Sequence, residues 1–152
     1  MKTIRILQLS DIHWKKQRDA ADDYTDIRDK MLQDLNYYCQ ETGNSFDKIL
    51  ICGDIAFSGS VDEYKRANSF IRDLCKTVAC KSEEVYTVPG NHDKNVNEHP
   101  KCVREFIHQA ISNRWNDCDW LWNKMIDEDF SFIKKLYTPF KEYNNFCNDE
   151  RD

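Results

Sequence analysis

Apolar runs alternate with amphipathic stretches over the first part of the chain. The runs are rich in β-branched residues and each ends at polar or glycine residues, which predicts buried strands. Between the runs, apolar residues recur at helical spacing, which predicts helices with one apolar face. The strands are predicted at Ile4–Leu9, Lys48–Cys52 and Glu84–Val88, and the helices at residues 25–40 and from Ser60 to Val78.

The order strand, helix, strand, helix, strand indicates an α/β fold. It predicts a parallel sheet with right-handed crossovers and helices on its faces. The start of the second helix is marked by Ser60 and, three positions later, Glu63, a spacing typical of a capping box.

The strand pattern ends after residue 100. A short helix is predicted over Val103–Ile111 and a longer one over residues 122–137, where an aromatic stripe favours core packing over a binding role. The polar and acidic tail Asn144–Asp152 is predicted to fray.

Composition narrows the class of protein. A chain of 152 residues has room for one domain, and 40% apolar with 32% charged residues excludes collagen-like and disordered chains. No apolar run approaches the roughly 20 residues of a membrane helix, and the N-terminus does not resemble a signal peptide. The cysteines number seven, with no Cys-x-x-Cys spacing, which favours free thiols in a reducing cytosol. We therefore expect a cytoplasmic protein that does not bind membranes.

The net charge of −5 argues against a general nucleic-acid surface. A negative net charge does not exclude a local cationic site made by bound metal ions. The loop Trp14–Arg18 carries three basic residues that are candidates for contacting phosphate groups. Acidic residues follow it closely, so we favour a solvated loop.

Each predicted strand is followed directly by residues of the types that commonly bind metal ions. Ligands bind at the carboxyl ends of parallel strands, so these residues are expected to meet in one crevice. Oxygen ligands mixed with imidazole suit Mn, Fe or Zn, and two cations that share a carboxylate can clamp a phosphate. Each motif alone is common by chance, but three in order are not. The motifs are Asp11-Ile12-His13, Gly53-Asp54 and Gly90-Asn91-His92-Asp93.

The order of these motifs resembles the calcineurin-like metallophosphoesterase family over residues 4–93. Within that family, residues 53–74 and 88–93 are most similar to the branch that includes bacterial cyclic-nucleotide phosphodiesterases. The run Ser10-Asp11-Ile12-His13-Trp14 is also similar to a nuclease branch that processes DNA ends.

The resemblance implies a role for five residues. Asp11 and His13 match the ligands of a first metal ion, Asp54 matches a carboxylate that bridges both ions, and Asn91 matches a ligand of the second. His92 matches the non-ligand histidine that contacts the phosphate and helps to protonate the leaving oxygen. Imidazole suits that role because it exchanges a proton near neutral pH.

The family's chemistry is in-line displacement at phosphorus by a metal-bound hydroxide, with two divalent ions as cofactors. Asp93 is expected to position His92 or the turn and not to be catalytic. The family's later ligands, a further histidine and a Gly-His-x-His segment, have no counterpart here. Only His99 and His108 follow His92, and we interpret them as an exposed loop residue and a surface or packing residue. The second ion is then left with Asp54 and Asn91, so we expect weak or partial metal occupancy.

These departures shape the domain prediction. Residues 1–98 are expected to form the first half of a metallophosphoesterase-like sandwich, and residues 99–152 a helical, cap-like segment of a domain that is incomplete at 152. Without the family's second sheet, one face of the first sheet would expose apolar surface unless the aromatic segment Trp115–Phe146 covers it.

The leading functional hypothesis is a metal-dependent phosphoesterase that acts on phosphodiesters or nucleotides. The alternative is a catalytically incomplete metallophosphoesterase fold that serves as a protein-interaction scaffold. Action on DNA ends is a third hypothesis, disfavoured because the chain is acidic and has no basic stripe. The sequence specifies no oligomeric state.

Overall fold

The computed structural model of the protein describes residues 3–15, 25–114, 116–117, 119–120, 122–123 and 130–148. The strands are β1 (Ile6–Leu9), β2 (Lys48–Cys52) and β3 (Val85–Val88). The helices are α1 (Thr25–Thr42), α2 (Val61–Val78), α3 (Lys101–Ser112), α4 (Phe130–Tyr137) and α5 (Lys141–Asn148). Short 3₁₀ turns over Ser82–Glu84 and Thr138–Phe140 precede β3 and α5.

The three strands form one parallel sheet in the order β1-β2-β3. Leu9 lies opposite Ile51, and Ile51 lies opposite Thr87. The predicted α/β fold with a parallel sheet is confirmed. Because all three strands run in one direction, their carboxyl ends meet at the same edge.

One face of the sheet is covered by helices. Ile49 and Ile51 on β2 are almost fully buried and share the core with Ile71 and Leu74 of α2. The helix α1 packs against α2. The start of α2 is fixed by the buried Glu63, whose carboxylate accepts the backbone N–H of Ser60 at 3.0 Å, the glutamate half of the predicted capping box.

The other face of the sheet is open. Ile6, Tyr86 and Val88 are 50%, 49% and 55% exposed. The prediction that Ile4–Leu9 is a buried strand is therefore wrong, since β1 begins at Ile6 and turns half of its side chains to solvent. Among the described residues, α1, α2 and α5 all lie on the covered side, so helices cover one face of the sheet and the other keeps the exposed apolar surface expected without a second sheet.

The C-terminal helix α5 belongs to the core. Phe146 is 1% exposed and stacks on Tyr64 of α2 at 5.1 Å, and the hydroxyl of Tyr143 lies 3.0 Å from that of Thr87. The prediction that the tail frays is wrong up to residue 148, and residues 149–152 lie outside the described part. The described part of the aromatic segment Trp115–Phe146 does not cover the open face.

The remaining helix predictions hold in outline. The helix predicted over Val103–Ile111 is α3, and α4 ends at the predicted Tyr137. Residues 122–123 are helical as well, while 124–129 lie outside the described residues. No disulfide joins the described cysteines. None of the described helices is long and apolar enough to cross a membrane.

Candidate metal centre

The backbone is unusual where β1 and β2 end. Asp11, His13 and Asp54 have φ values of 57°, 52° and 53°, in the left-handed region that non-glycine residues rarely adopt. Such a conformation costs of the order of 1–3 kcal/mol per residue and persists only where the surroundings impose it. Here the N–H of Asp11 donates to the carbonyl of Gly53 at 3.2 Å, and that of His13 to the carbonyl of Asp54 at 2.9 Å. These bonds continue the pairing of β1 and β2 beyond both strands.

Two arginines from α1 and α2 hold the loop after β1 in place. Arg28 lies 3.7 Å from the Trp14 ring centre and donates to the carbonyl of Ile12 at 3.1 Å. Arg66 lies 4.9 Å from the same ring and donates to the carbonyl of Lys15 at 2.5 Å. The segment between Ile12 and Lys15 is therefore held on both sides.

Four of the predicted site residues meet in one crevice. Nε2 of His13 lies 3.6 Å from Oδ1 of Asp11 and 3.9 Å from Oδ2 of Asp54. One potential ligand atom from each of His13, Asp54 and His92 lies within 4.8 Å of the other two. The two distances from Nε2 of His13, 3.6 and 3.9 Å, exceed a hydrogen bond and suit ligands of one cation, since ligands about 2.2 Å from an ion lie at most about 4.4 Å apart.

The donor set fits a divalent cation in burial as well. Asp54 and His13 expose only 14% and 21% of their side chains, whereas Asp11 exposes 66%. Nδ1 of His13 is buried without a hydrogen-bond partner. The crevice therefore combines two carboxylates with imidazole in a partly desolvated setting, where they attract a cation more strongly than they would in water.

His92 is oriented at two points. Its backbone N–H donates to Oδ1 of Asp54 at 2.9 Å, and its Nδ1 lies 2.9 Å from the carbonyl oxygen of Phe57. A carbonyl only accepts, so Nδ1 carries the proton of that bond and Nε2 is the atom left to exchange a proton. The His92 ring meets that of His13 edge-on at 4.7 Å.

Asp93 is the buried anchor beneath the crevice. Its side chain is inaccessible to solvent, and its carboxylate accepts the N–H groups of Ile55, Ala56 and Gly90 at 3.1, 2.8 and 2.8 Å. The Tyr64 hydroxyl donates to it at 3.0 Å. Burial, followed by the charge of Asp93, raises the pKa of Tyr64 well above its ordinary value, so the hydroxyl remains a donor. Asp93 thus ties the ends of β2 and β3 together, which agrees with a positioning role.

Two glycines allow these strand ends to touch. A Cβ on Gly90 would lie 2.1 Å from Oδ1 of Asp54 and 2.5 Å from its backbone nitrogen. A Cβ on Gly53, which has φ +89°, would lie 3.2 Å from Cα of Gly90. The close approach that places Asp54 beside His92 therefore requires glycine at Gly90.

The other candidate residues are Asn91 and the cations of the loop after β1. Asn91 is exposed at the end of β3. The ammonium group of Lys15 lies over the Phe57 ring at 5.5 Å from its centre, while Lys16 and Arg18 lie outside the described residues.

The two later histidines lie on the helical segment. His99 lies in the loop before α3 as predicted, but it is half-buried and its Nε2–H donates to the carbonyl of Lys135 at 2.7 Å, so the predicted exposure is wrong. His108 is exposed on α3, as a surface residue should be.

Sequence reasoning missed two contributors. Tyr64 lies at a helical spacing that predicts an apolar core position on α2, although a hydroxyl at such a position signals that a polar partner is needed. Phe57 supplies both the carbonyl that binds His92 and a ring 6.2 Å from that of His13, and no motif marks it.

Comparison with known proteins agrees with this arrangement. The family model of the calcineurin-like phosphoesterases matches residues 4–148. YydB of Bacillus subtilis (strain 168), named as an uncharacterized metallophosphoesterase-like protein, is 33% identical over 90 residues. That stretch covers 59% of this chain and 18% of the relative.

Proposed function

The chain belongs to the calcineurin-like phosphoesterase family, and we propose that it hydrolyses phosphoester bonds in phosphodiesters or nucleotides. The observation that carries the proposal is that His13, Asp54 and His92, from three different strand ends, bring imidazole and carboxylate atoms within 4.8 Å of one another, which places a proton donor beside two of the metal ligands. A site built only for stability would have no reason to gather them there at the expense of left-handed backbone.

We assign the cofactor as two divalent ions, with Mn, Fe or Zn suited to the mixture of imidazole and oxygen donors. Asp11, His13 and Asp54 would hold one ion, and Asp54 with Asn91 would contribute to the second. Bound divalent ions supply Lewis acidity and make a hydroxide nucleophile available near neutral pH.

The chain's own residues supply positioning and a proton. Nδ1 of His92 keeps its proton in the bond to the carbonyl of Phe57, so Nε2 is the atom that takes up and releases a proton. Once Nε2 has taken up a proton, it can protonate the leaving oxygen of a substrate. Asp54 accepts the N–H of His92, so the carboxylate and the imidazole are fixed relative to each other. Asp93 and Tyr64 keep this turn in place from below.

We also propose that further polypeptide completes the phosphoesterase domain and supplies the later histidine ligands. Two observations support this: the open face of the sheet bears the half-exposed Ile6, Tyr86 and Val88, and the aligned stretch covers only 18% of its relative. We place the protein in the cytoplasm on the basis of its cysteine content.

The test is hydrolysis of bis(p-nitrophenyl) phosphate with added Mn²⁺ by the complete enzyme, with its later ligands present. Asp54→Asn keeps the size of the side chain and removes its charge, and it should abolish metal-dependent turnover. Asp29→Asn, an exposed carboxylate on α1, is the matched control and should keep it. Turnover by Asp54→Asn equal to that of the unsubstituted protein would overturn the assignment.

The scaffold hypothesis is the second candidate, and the half-exposed apolar sheet face favours it. Metal analysis by mass spectrometry separates the two. Bound metal together with turnover supports the enzyme, whereas a metal-free protein that forms a stable complex through the sheet face supports the scaffold.

A further inference from the structure

A second cavity lies away from the strand ends, between α3, α4 and the 3₁₀ turn Thr138–Phe140. Its volume is about 360 Å³, which falls within the roughly 300–1,000 Å³ of small-molecule sites. We propose that this cavity binds a small organic anion that has an apolar body. The proposal does not rest on phosphoesterase activity.

The floor of the cavity is apolar. Ile107 of α3 is 7% exposed and Ile111 lies one turn further along the same helix. Leu136 of α4 and Phe140 of the 3₁₀ turn face them across the cavity. Burying an apolar ligand here removes its surface from water, which favours binding in proportion to the area covered.

The rim of the cavity is basic. Three cationic side chains, Lys94, Arg104 and Lys135, line it together with His99 and His108. None of the described lining residues is acidic, although the whole chain has a net charge of −5. Three cations around an apolar cavity, with no acidic residue in its described lining, offer charge complementarity to an anion.

The cationic residues of the rim have no acidic partner among the described residues. Elsewhere on the same helix, Lys101 pairs with Glu105 at 3.7 Å. No ion pair of this kind engages Arg104 within the described part of the chain. Its Nε is buried and has no hydrogen-bond partner. A buried donor without an acceptor is costly, and an anionic ligand would supply the missing acceptor.

These two features select the class of ligand. A wholly apolar ligand would leave Nε of Arg104 unsatisfied, and an inorganic anion would leave the floor of Ile107 and Phe140 uncovered. An organic anion satisfies both. The cavity also adjoins the metal-centre segment, because Lys94 directly follows Asp93 and the N–H of Asn95 donates to the carbonyl of Pro139 at 2.7 Å.

The histidines provide a direct readout. The chain has four, two at the metal centre and two at this cavity. We would titrate 1-naphthalenesulfonate, which joins an apolar body to a fixed negative charge, into the protein in EDTA and follow the imidazole resonances by NMR. The proposal predicts saturable shifts of His99 and His108 without shifts of His13 and His92. Shifts confined to His13 and His92, or the absence of shifts at millimolar probe, would overturn it.

The charge requirement is tested by substitution. Arg104→Gln should weaken binding of 1-naphthalenesulfonate about tenfold, the loss expected for one charge-assisted hydrogen bond. Lys101→Gln on the same helix, outside the cavity, should leave it unchanged. Lys135→Gln is a second rim variant. Because Lys135 is exposed, this substitution should not disturb folding, and it should also weaken the binding of 1-naphthalenesulfonate. Unchanged binding in both rim variants, or equal affinity for neutral 1-naphthalenemethanol, would contradict the proposal.

Discussion

The two faces of the sheet carry similar side chains in different surroundings. Ile51 on the covered face is 1% exposed, whereas Ile6 on the open face is 50% exposed. The covered face packs on α1 and α2, and Phe146 of α5 closes one end of its core. The open face carries exposed apolar side chains and, at its edge, a half-buried ion pair between Lys48 and Glu84.

This difference shows which part of the molecule builds the site. The anchor of the crevice, Asp93, is fully buried and bonded to Tyr64 of α2, on the covered side. The strand ends are joined by bonds between His13, Asp54 and their neighbours, and none of these bonds involves the open face. The geometry of the crevice is therefore fixed by contacts on the covered side of the sheet. The open face takes no part in these contacts.

The largest expected effect compares one residue type on the two faces. Ile51→Ala should lower the free energy of unfolding by about 2–5 kcal/mol, because it leaves a cavity in a packed core. Ile6→Ala should lower it by less than about 1 kcal/mol, since the side chain is already half in water. Urea denaturation of both variants measures the difference. Equal losses would mean that the open face is as well packed as the covered one.

A smaller effect is expected at the strand ends. Gly90→Ala forces a Cβ against the Asp54 carboxylate, and such overpacking costs about 1–3 kcal/mol. Gly43→Ala is the control, because its φ of +63° imposes backbone strain while no atom lies within 4 Å of the added Cβ. Gly90→Ala should also weaken Mn²⁺ binding, which Gly43→Ala should not. If Gly90→Ala leaves the Mn²⁺ affinity unchanged, the metal site does not depend on the close approach of β2 and β3.

The smallest effect concerns the polar edge of the open face. The hydrogen bond from Lys48 lowers the pKa of Glu84, so this pair stabilises the fold above the unfolded carboxyl pKa of about 4.3. That contribution is lost as the pH falls through the lowered pKa of the folded state. Between about pH 5 and 3, Glu84→Gln should therefore lose less thermal stability than the unsubstituted protein.

The control for this prediction is Glu41→Gln, an exposed carboxylate on α1, which should keep the original pH dependence. The change should be slight because each partner is still 35% exposed, so water screens the pair. If Glu84→Gln keeps the full acid-side loss of stability, the pair contributes nothing and the open face has no stabilising polar contact at this edge.

The strands and the ligand residues could be predicted because their signals are local. Val85 to Val88 reads as a strand from its own composition, and Gly90, Asn91, His92 and Asp93 follow it directly. A parallel arrangement then brings the three strand ends together. The same local logic located α1 and α3 to within a few residues.

What could not be predicted depends on contacts distant in sequence. The tail around Phe146 looks polar, yet one buried ring that stacks on Tyr64 is enough to hold it in the core. The bond between His99 and the carbonyl of Lys135 joins residues 36 apart. The exposure of Ile6 depends on which elements cover its face of the sheet, and an apolar run such as Ile4–Leu9 has the pattern of a strand covered on both faces.

The central claim is that the strand ends form a metal centre, and Mn²⁺ titration followed by electron paramagnetic resonance tests it most directly. The signal of free Mn²⁺ should fall saturably with the unsubstituted protein and with Asp29→Asn. With Asp54→Asn the affinity should drop at least about tenfold, since a ligand carboxylate has lost its charge. Equal Mn²⁺ binding by Asp54→Asn and the unsubstituted protein would contradict the account.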